Sequence, residues 1–336
     1  MNIAVVGAGY WGENLVRVFH QLGVLHTVVD SRPGQLRKLA GKYPGFRPET
    51  SLDPILNNPE IGGVVVATPA ESHHRIALAA LSAGKDVLVE KPIALCCEDA
   101  ESLIDAALRW RRILMVGHLL EFHPAVLRLQ ELVESGALGR IEYIYSNRLN
   151  LGKVRREENT LWSFAPHDIS VILLLLKTLP VQVTATGGTY LQPNIADVTV
   201  STMLFDRGVR AHLFVSWLHP YKEQRLVVIG EHRMAVFDDV RRDDKLQLFD
   251  RKIELVNGEF VVEKPAGETV AFSPAEPLRQ ECQHFLDCIA TRQTPRTGGD
   301  DAWRVLKVLE ASQRSLAMNG EPVHIEHHRS LAVMHA

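Results

Sequence analysis

Cysteine is scarce, with four among 336 residues, and the four are placed where they can do little together. Cys96 and Cys97 are adjacent, and Cys282 and Cys288 stand on one helical stretch, so neither a disulfide framework nor a metal clip is indicated. The expectation is a reducing, cytoplasmic compartment and no metal site. Charge of one sign is also lacking: 37 Lys and Arg face 40 Asp and Glu, a net charge of −3. Nothing in that balance draws the chain to nucleic acid or to an anionic membrane. Long apolar runs are missing too, since the longest, 171–176, is far short of a membrane span. The first residues run straight into a strand pattern without a basic segment or an apolar core, so no secretory signal is expected. No low-complexity linker or repeat separates domains, but 336 residues exceed one ordinary core and predict two.

What is present begins at the N-terminus. The apolar run 2–6 leads into Gly7, Gly9 and Gly12, spaced G-x-G-x-x-G. In a dinucleotide cradle the first glycine makes the turn, the second admits a pyrophosphate and the third lets the helix pack on the sheet. The context fits, because Leu15, Val18, Phe19 and Leu22 follow at helical spacing. A second apolar run, 24–29, ends in Asp30, placed where an acidic side chain takes a ribose 2′-hydroxyl and so favours NAD. Arg32, close by, tempers that preference, since a guanidinium accepts a 2′-phosphate.

As far as Gly117, apolar runs alternate with helical patterns, the mark of βαβ units and a parallel sheet of six strands. The runs 61–67, 86–89 and 113–116 are strands, and 71–83 and 98–110 are helices. Beyond residue 120 the pattern changes. After a helix at 124–135, strands are predicted at 141–149, 181–190, 198–205, 209–217, 225–230 and 234–238, with a turn at Asp206-Arg207-Gly208. An apolar helix, 165–176, interrupts them, and helices 278–291 and 300–318 follow. The fold class is therefore α/β: a Rossmann domain over 1–120, a C-terminal α/β domain with a mostly antiparallel open sheet over 121–325, and a tail at 326–336.

Chemistry concentrates at strand ends. Thr68 and Pro69 close the third of these strands and should lie beside the cofactor, since ligands of open α/β sheets bind beyond the carboxyl ends of strands. His73 and His74 open the next helix, where contact with ligand and a structural role are equally open readings. Glu90-Lys91-Pro92 is the most informative tripeptide after the glycine loop: proline stops the strand and holds Lys91 at the rim of the nucleotide crevice. A lysine there can bind ribose and substrate hydroxyls and stabilise a developing alkoxide. Removing a hydride from an alcohol also requires a base for the hydroxyl proton, and among 15 histidines His167, just before the apolar helix, is the best placed. Asp168 either orients His167 or simply favours the first turn of a helix. Lys153, Arg155, Arg156 and Asn159 offer the donors a diphosphate would need, or else form a solvated face. His219, Lys222 and Arg225 follow a strand and could line the same cleft.

These residues resemble the glucose–fructose oxidoreductase and inositol dehydrogenase (Gfo/Idh/MocA) family along essentially the whole chain. The marks are the 7–12 loop, Thr68-Pro69 with His73, the helix running into Gly84-Lys85, Glu90-Lys91-Pro92, and Val116-Gly117-His118 with Phe122 and Pro124. The resemblance implies an NAD-dependent sugar dehydrogenase with Lys91 and His167 as the catalytic pair. Gly7, Gly9, Tyr10, Trp11, Gly12, Asp30, Arg32, Thr68, Pro69, His73, Glu90 and Lys91 would face the cofactor. It also implies homodimers or homotetramers through the C-terminal sheet. Two departures stand out: relatives carry aspartates where this chain has Ser163 and Ser170, and an arginine where Glu121 precedes Phe122. Within the family, residues 9–15, 155–168 and 216–220 are most similar to nucleotide-sugar 3-dehydrogenases. That similarity implies oxidation of the C3 hydroxyl of UDP-N-acetylglucosamine, coupled to an aminotransferase making a 2,3-diamino sugar for lipid A or surface polysaccharide. Lys153, Arg155, Arg156, Asn159, Trp162, His167 and His219 would then bind substrate. The alternatives are another sugar or inositol dehydrogenase of the family, and a non-catalytic dinucleotide sensor.

Overall fold

The computed structural model describes residues 1–326, so all but the first residue of the predicted tail lies outside the described residues. The chain opens with β1 (Asn2–Val6), α1 (Tyr10–Gln21), β2 (Leu25–Val29), α2 (Pro33–Lys42), β3 (Arg47–Glu49), α3 (Asp53–Leu56) and β4 (Ile61–Val66). There follow α4 (His73–Ser82), β5 (Asp86–Glu90), α5 (Cys97–Arg109) and β6 (Leu114–Gly117). Next come α6 (Pro124–Glu134), β7 (Ile141–Leu151), α7 (Thr160–Leu176), β8 (Gln182–Gly188), β9 (Val198–Leu204), β10 (Arg210–Ser216), β11 (Leu218–Gly230), β12 (Arg233–Asp238) and β13 (Leu246–Asp250). The hairpin β14 (Lys252–Val256) and β15 (Glu259–Glu263), then β16 (Glu268–Thr269), α8 (Pro277–Thr291), α9 (Gly299–Ala317) and β17 (Val323–His324) complete it.

Two compact units result: Met1–Phe122 with Ala275–Leu306, and His123–Pro274 with Lys307–Ala336. The first does not end near residue 120, because α8 returns to it. Leu278, Cys282, Phe285 and Ile289 form one buried stripe of α8 that joins Ile3, Val5, Leu15 and Phe19 in a single core. Packing there is tight enough that a Cβ on Gly63 would lie 2.7 Å from Ile3 Cδ1 and 3.2 Å from Ile289 Cδ1. Polar ties hold the returning segment: Arg292 pairs with Asp86 at 2.8 Å, and Thr297 exchanges bonds of 2.7 and 2.8 Å with Val116.

The first unit carries a parallel six-stranded sheet in the order β3-β2-β1-β4-β5-β6, whose strand order reverses between β1 and β4. Five of its strands are the apolar runs expected. The sixth, β3, has three residues, none of them fully buried, so it lacks the hydrophobic run by which a strand is recognised.

The second unit is built on a nine-stranded sheet, β16-β13-β12-β11-β7-β10-β9-β8-β17. Its pairings are antiparallel except β7 with β10. α7 lies on the face formed by β7, β9 and β10, where Ile169, Ile172, Ala211, Leu213 and Val215 are buried. The turn at Asp206–Gly208 forms as expected, with Arg207 at φ 60°.

Candidate active site

The glycine loop of the first unit has the geometry of a phosphate cradle. Gly7 adopts φ +93°, and a Cβ there would sit 2.6 Å from the Ala67 carbonyl, so only glycine lets β1 turn this close to the end of β4. A Cβ on Gly9 would meet nothing within 4 Å, which leaves open space in front of the loop. Gly9 caps α1 without a side-chain hydrogen bond, so the first-turn N–H groups of the helix are available to an anion. These features fit the pyrophosphate of a dinucleotide.

Asp30, at the end of β2, is nearly buried and well supplied with donors. Its oxygens accept from Ala8 N at 2.8 Å and from the amide, Nε and Nη2 of Arg32, each at 2.9 Å. The Arg32 guanidinium, ahead of every other cause, holds the carboxyl below its usual range. Arg32 is itself mostly exposed, so the predicted pair forms a single unit at the edge of the cradle.

Thr68, His73 and the Glu90-Lys91-Pro92 turn are brought together in the same unit. Buried His73 places Nδ1 2.7 Å from the Pro92 carbonyl and Nε2 2.9 Å from the Thr68 carbonyl. Its ring thus bridges the two strand-end turns, and burial lowers its pKa. Glu90 accepts from the indole of Trp11 and, at 3.3 Å, from the Lys91 amide. The Lys91–Pro92 peptide is cis. His74 faces Ser102 and Asp99 at 3.3 and 3.7 Å. Lys85 is occupied structurally, donating to the carbonyls of Asn58 and Ile61 at 2.6 and 2.9 Å. Tyr10 is 91% exposed.

In the second unit the helix carrying His167 starts five residues earlier than its apolar run predicts. Asn159 caps it, accepting from Trp162 N at 3.2 Å, and Pro166 is accommodated inside it. His167 is therefore a half-buried residue two turns into α7, where a helix starting at 165 would have it in the first turn. Asp168 turns toward the sheet: its carboxylate accepts from Arg148 Nε at 2.6 Å, Arg148 Nη2 at 3.2 Å and Ser146 Oγ at 2.7 Å, all buried. Asn159 and Trp162 both bind Gln313, at 2.8 and 3.1 Å. Lys153 and Arg156 are exposed, and Arg155 pairs with Glu158 at 3.0 Å while its carbonyl accepts from Gln192. His219 lies edge-on to Tyr221 with ring centroids 4.5 Å apart, Lys222 is exposed, and Arg225 is bound to Asp238.

The family follows from comparison with known proteins. The description "Oxidoreductase family, NAD-binding Rossmann fold" of GFO/IDH/MocA matches residues 1–118, and the GFO/IDH/MocA C-terminal domain matches 126–236. The chain belongs to the GFO/IDH/MocA oxidoreductases. Its first unit is accordingly an NAD-binding Rossmann domain. UDP-N-acetylglucosamine 3-dehydrogenase of Acidithiobacillus ferrooxidans is 27% identical over 91% of this chain and 94% of its own. The solved structure of that protein superposes with a TM-score of 0.84, at 25% identity, over 95% of this chain and 98% of its own. Inositol 2-dehydrogenase of Rhizobium meliloti is 25% identical over 87% of this chain and 89% of its own. GenD2 from gentamicin A biosynthesis, solved with NAD, has a TM-score of 0.82 at 25% identity, over 97% and 96%.

Three residues around the Lys91 turn escaped the sequence reading of chemistry. His118 is buried with neither ring nitrogen bonded to any described residue, and burial, followed by the nearby Lys91 charge, pushes it down to about 3. Glu121 and Glu281 are buried in the same unit. Glu281 carried a legible signal: it sits three residues after Leu278, on the apolar stripe of α8, where a carboxyl is out of place.

Proposed function

We propose that this GFO/IDH/MocA oxidoreductase is an NAD-dependent sugar dehydrogenase that oxidises the C3 hydroxyl of UDP-N-acetylglucosamine to the 3-keto sugar. The supporting observation is the joint presence of the cradle, the Lys91 turn and His167 in a chain aligned over 91% of its length with a UDP-N-acetylglucosamine 3-dehydrogenase. Residues 7–12 would hold the pyrophosphate and Asp30 the adenosine ribose, and NAD when bound supplies the hydride acceptor. Lys91 hydrogen-bonds the substrate oxygen and stabilises it as the proton leaves. His167 takes that proton as general base. Asp168, committed to Arg148 and Ser146, fixes α7 against the sheet and so holds the neighbouring His167 in place. Lys153, Arg155 and Arg156 meet the diphosphate, with Asn159 and Trp162 shaping the start of α7 and His219 adding a further polar contact.

The product is suited to an aminotransferase, and the pathway is that of a 2,3-diamino sugar for lipid A or surface polysaccharide. Among the described residues no helix is long and apolar enough to cross a membrane. We place the enzyme in the cytoplasm, where nucleotide sugars are made. Tyr143, Tyr145, Val200, His212 and Phe214 give the outer face of β7, β9 and β10 a partly exposed aromatic patch, which supports a homodimer or homotetramer through that sheet.

The test is NADH formation from NAD and a panel of UDP-N-acetylglucosamine, UDP-glucose, glucose and myo-inositol, with a carbonyl-trapping reagent present. The reading requires turnover of the UDP-amino sugar and a rise in KM of about tenfold or more when Arg155 and Arg156 become Ala. Preference for myo-inositol, with KM indifferent to those arginines, would establish the second reading suggested by the Rhizobium meliloti relative.

A further inference from the structure

The turn between β8 and β9 presents an aromatic ring to solvent from an unusually well-anchored backbone. Tyr190 is 71% exposed. Its amide donates to Asp197 Oδ2 at 2.6 Å, and the Leu191 amide donates to the same oxygen at 2.9 Å. Asp197 is 0% exposed, and its other oxygen accepts from the indole of the fully buried Trp217 at 2.6 Å. A buried carboxylate thus directs three charge-assisted bonds to one surface turn and the wall behind it.

The ring also has a seat. A Cβ built on Gly188 would lie 2.5 Å from Tyr190 Oη and 2.7 Å from Cε2 and Cζ, so the hydroxyl end of the ring rests where a side chain would otherwise stand. Gly188 is not in the left-handed region, so its backbone does not call for glycine. The ring does.

The same turn is tied to the stretch and the helix that carry the polar chemistry of the second unit. Two residues beyond the ring, Gln192 donates its side-chain amide to the Arg155 carbonyl. Ala196, at the far end of the turn, accepts from the amide and hydroxyl of Thr160 in the first turn of α7 at 3.1 and 3.3 Å. Two residues of chain reach at most about 7 Å, a gap that one ribose bridges. An open π face therefore stands, on a fixed backbone, beside Lys153, Arg155 and Arg156.

A phosphate needs the cations and has no use for the ring, whereas a flat base stacked on the ring and a diphosphate among the cations use both. We propose that Tyr190 is a specificity-determining residue, the platform on which the nucleobase of a nucleoside diphosphate lies while the diphosphate reaches the basic stretch. The inference rests on the nucleotide-sugar reading above and assigns a residue to its nucleoside. Because every base has a π face, the platform favours a nucleotide over a bare sugar phosphate and does not choose among bases.

Binding is measured by titration calorimetry with NAD saturating, so that the glycine cradle is occupied. The probes are UDP, N-acetylglucosamine 1-phosphate and inorganic pyrophosphate. Tyr190→Ala should weaken UDP about tenfold and leave the two probes without a base unchanged, and Tyr190→Phe, which keeps the π face, should bind UDP as the wild type does. Gly188→Ala tests the seat. Its methyl group would meet the free end of the Tyr190 side chain, so the fold should hold while the ring is pushed aside. UDP should weaken severalfold in that variant, and adding Gly188→Ala to Tyr190→Ala should cost nothing more.

Unchanged UDP affinity in Tyr190→Ala, or an equal loss for pyrophosphate, would overturn the assignment. So would a loss shared by N-acetylglucosamine 1-phosphate, which gives the ring to the sugar, or an altered sedimentation coefficient in Tyr190→Ala, which gives it to a subunit contact. The dehydrogenase reading is judged separately. With UDP-N-acetylglucosamine and NAD, Tyr190→Ala should raise KM about tenfold with kcat little changed. If UDP binds through Tyr190 but no UDP-sugar is oxidised, the platform stands and the proposed reaction fails. If Tyr190→Ala oxidises UDP-N-acetylglucosamine with the wild-type KM, the reaction stands and the platform falls. If the wild type does not bind UDP, both fall.

Discussion

His118→Leu isolates one buried ionisable group and predicts how it bears on stability. The imidazole is pushed from 6.5 down to about 3. Between those values the unfolded chain binds a proton that the native state refuses, so stability present above pH 6.5 is lost as pH falls toward the folded value. The slope is about 1.4 kcal/mol per pH unit for one proton, which amounts to ~3 kcal/mol on going from pH 7 to about pH 4. Leucine has no such proton. The stability gap between variant and wild type should therefore widen in favour of the variant by ~3 kcal/mol over that interval. At pH 7 the variant already gains, because two unbonded buried nitrogens are removed, worth about 1–3 kcal/mol in typical cases. His73 shifts in the same direction, and Glu90 in the opposite one, but both remain in each protein and cancel in the comparison. Urea unfolding of both proteins at the two pH values, followed by circular dichroism and tryptophan fluorescence, measures the gap. A gap that stays constant to within about 0.5 kcal/mol would show that His118 is not held neutral, and the burial argument would fall.

Two further outcomes follow from the same reasoning. Arg148→Met leaves the buried Asp168 carboxylate with only Ser146, and should cost about 3–5 kcal/mol in urea unfolding, most of it recovered by Arg148→Met with Asp168→Leu; a loss under about 1 kcal/mol would refute the pairing. Asp30→Ala frees Arg32 and removes the ribose acceptor, so it should weaken NAD binding about tenfold while improving NADP binding, as followed by quenching of intrinsic fluorescence; equal weakening of both cofactors would refute this role.

Much of the site was legible because backbone demands wrote it into residue choice. A turn at φ +93° against a carbonyl 2.6 Å away allows only glycine at position 7, and a strand that must stop at Lys91 is followed by proline. The start of α7 was not legible: Ser163 breaks the apolar pattern, and Pro166 argues against a helix that Asn159 nevertheless caps. Proline costs least near a helix start, so a cap two turns upstream hides behind it. β3 escaped because three residues, none of them buried, carry no periodicity, although Arg47, Pro48 and Glu49 pair in parallel with Thr27, Val28 and Val29 of β2. The His118, Glu90 and Glu281 grouping escaped for a different reason. Its members are 28 and 163 residues apart along the chain: the pairing of β5 with β6 brings Glu90 beside His118, and the return of α8 adds Glu281.

The returning helix also governs the order in which the molecule can be made. A ribosome releases residues 1–122 long before Leu278, Phe285 and Ile289 exist, so the nascent Rossmann sheet must wait with one face of its core uncovered. During that interval, every strand of the second sheet except the last, β17, is synthesised. Cofactor-binding competence should therefore arise late in translation, and a fragment cut at residue 122 should be a sticky, incomplete intermediate that needs its missing helix supplied in trans.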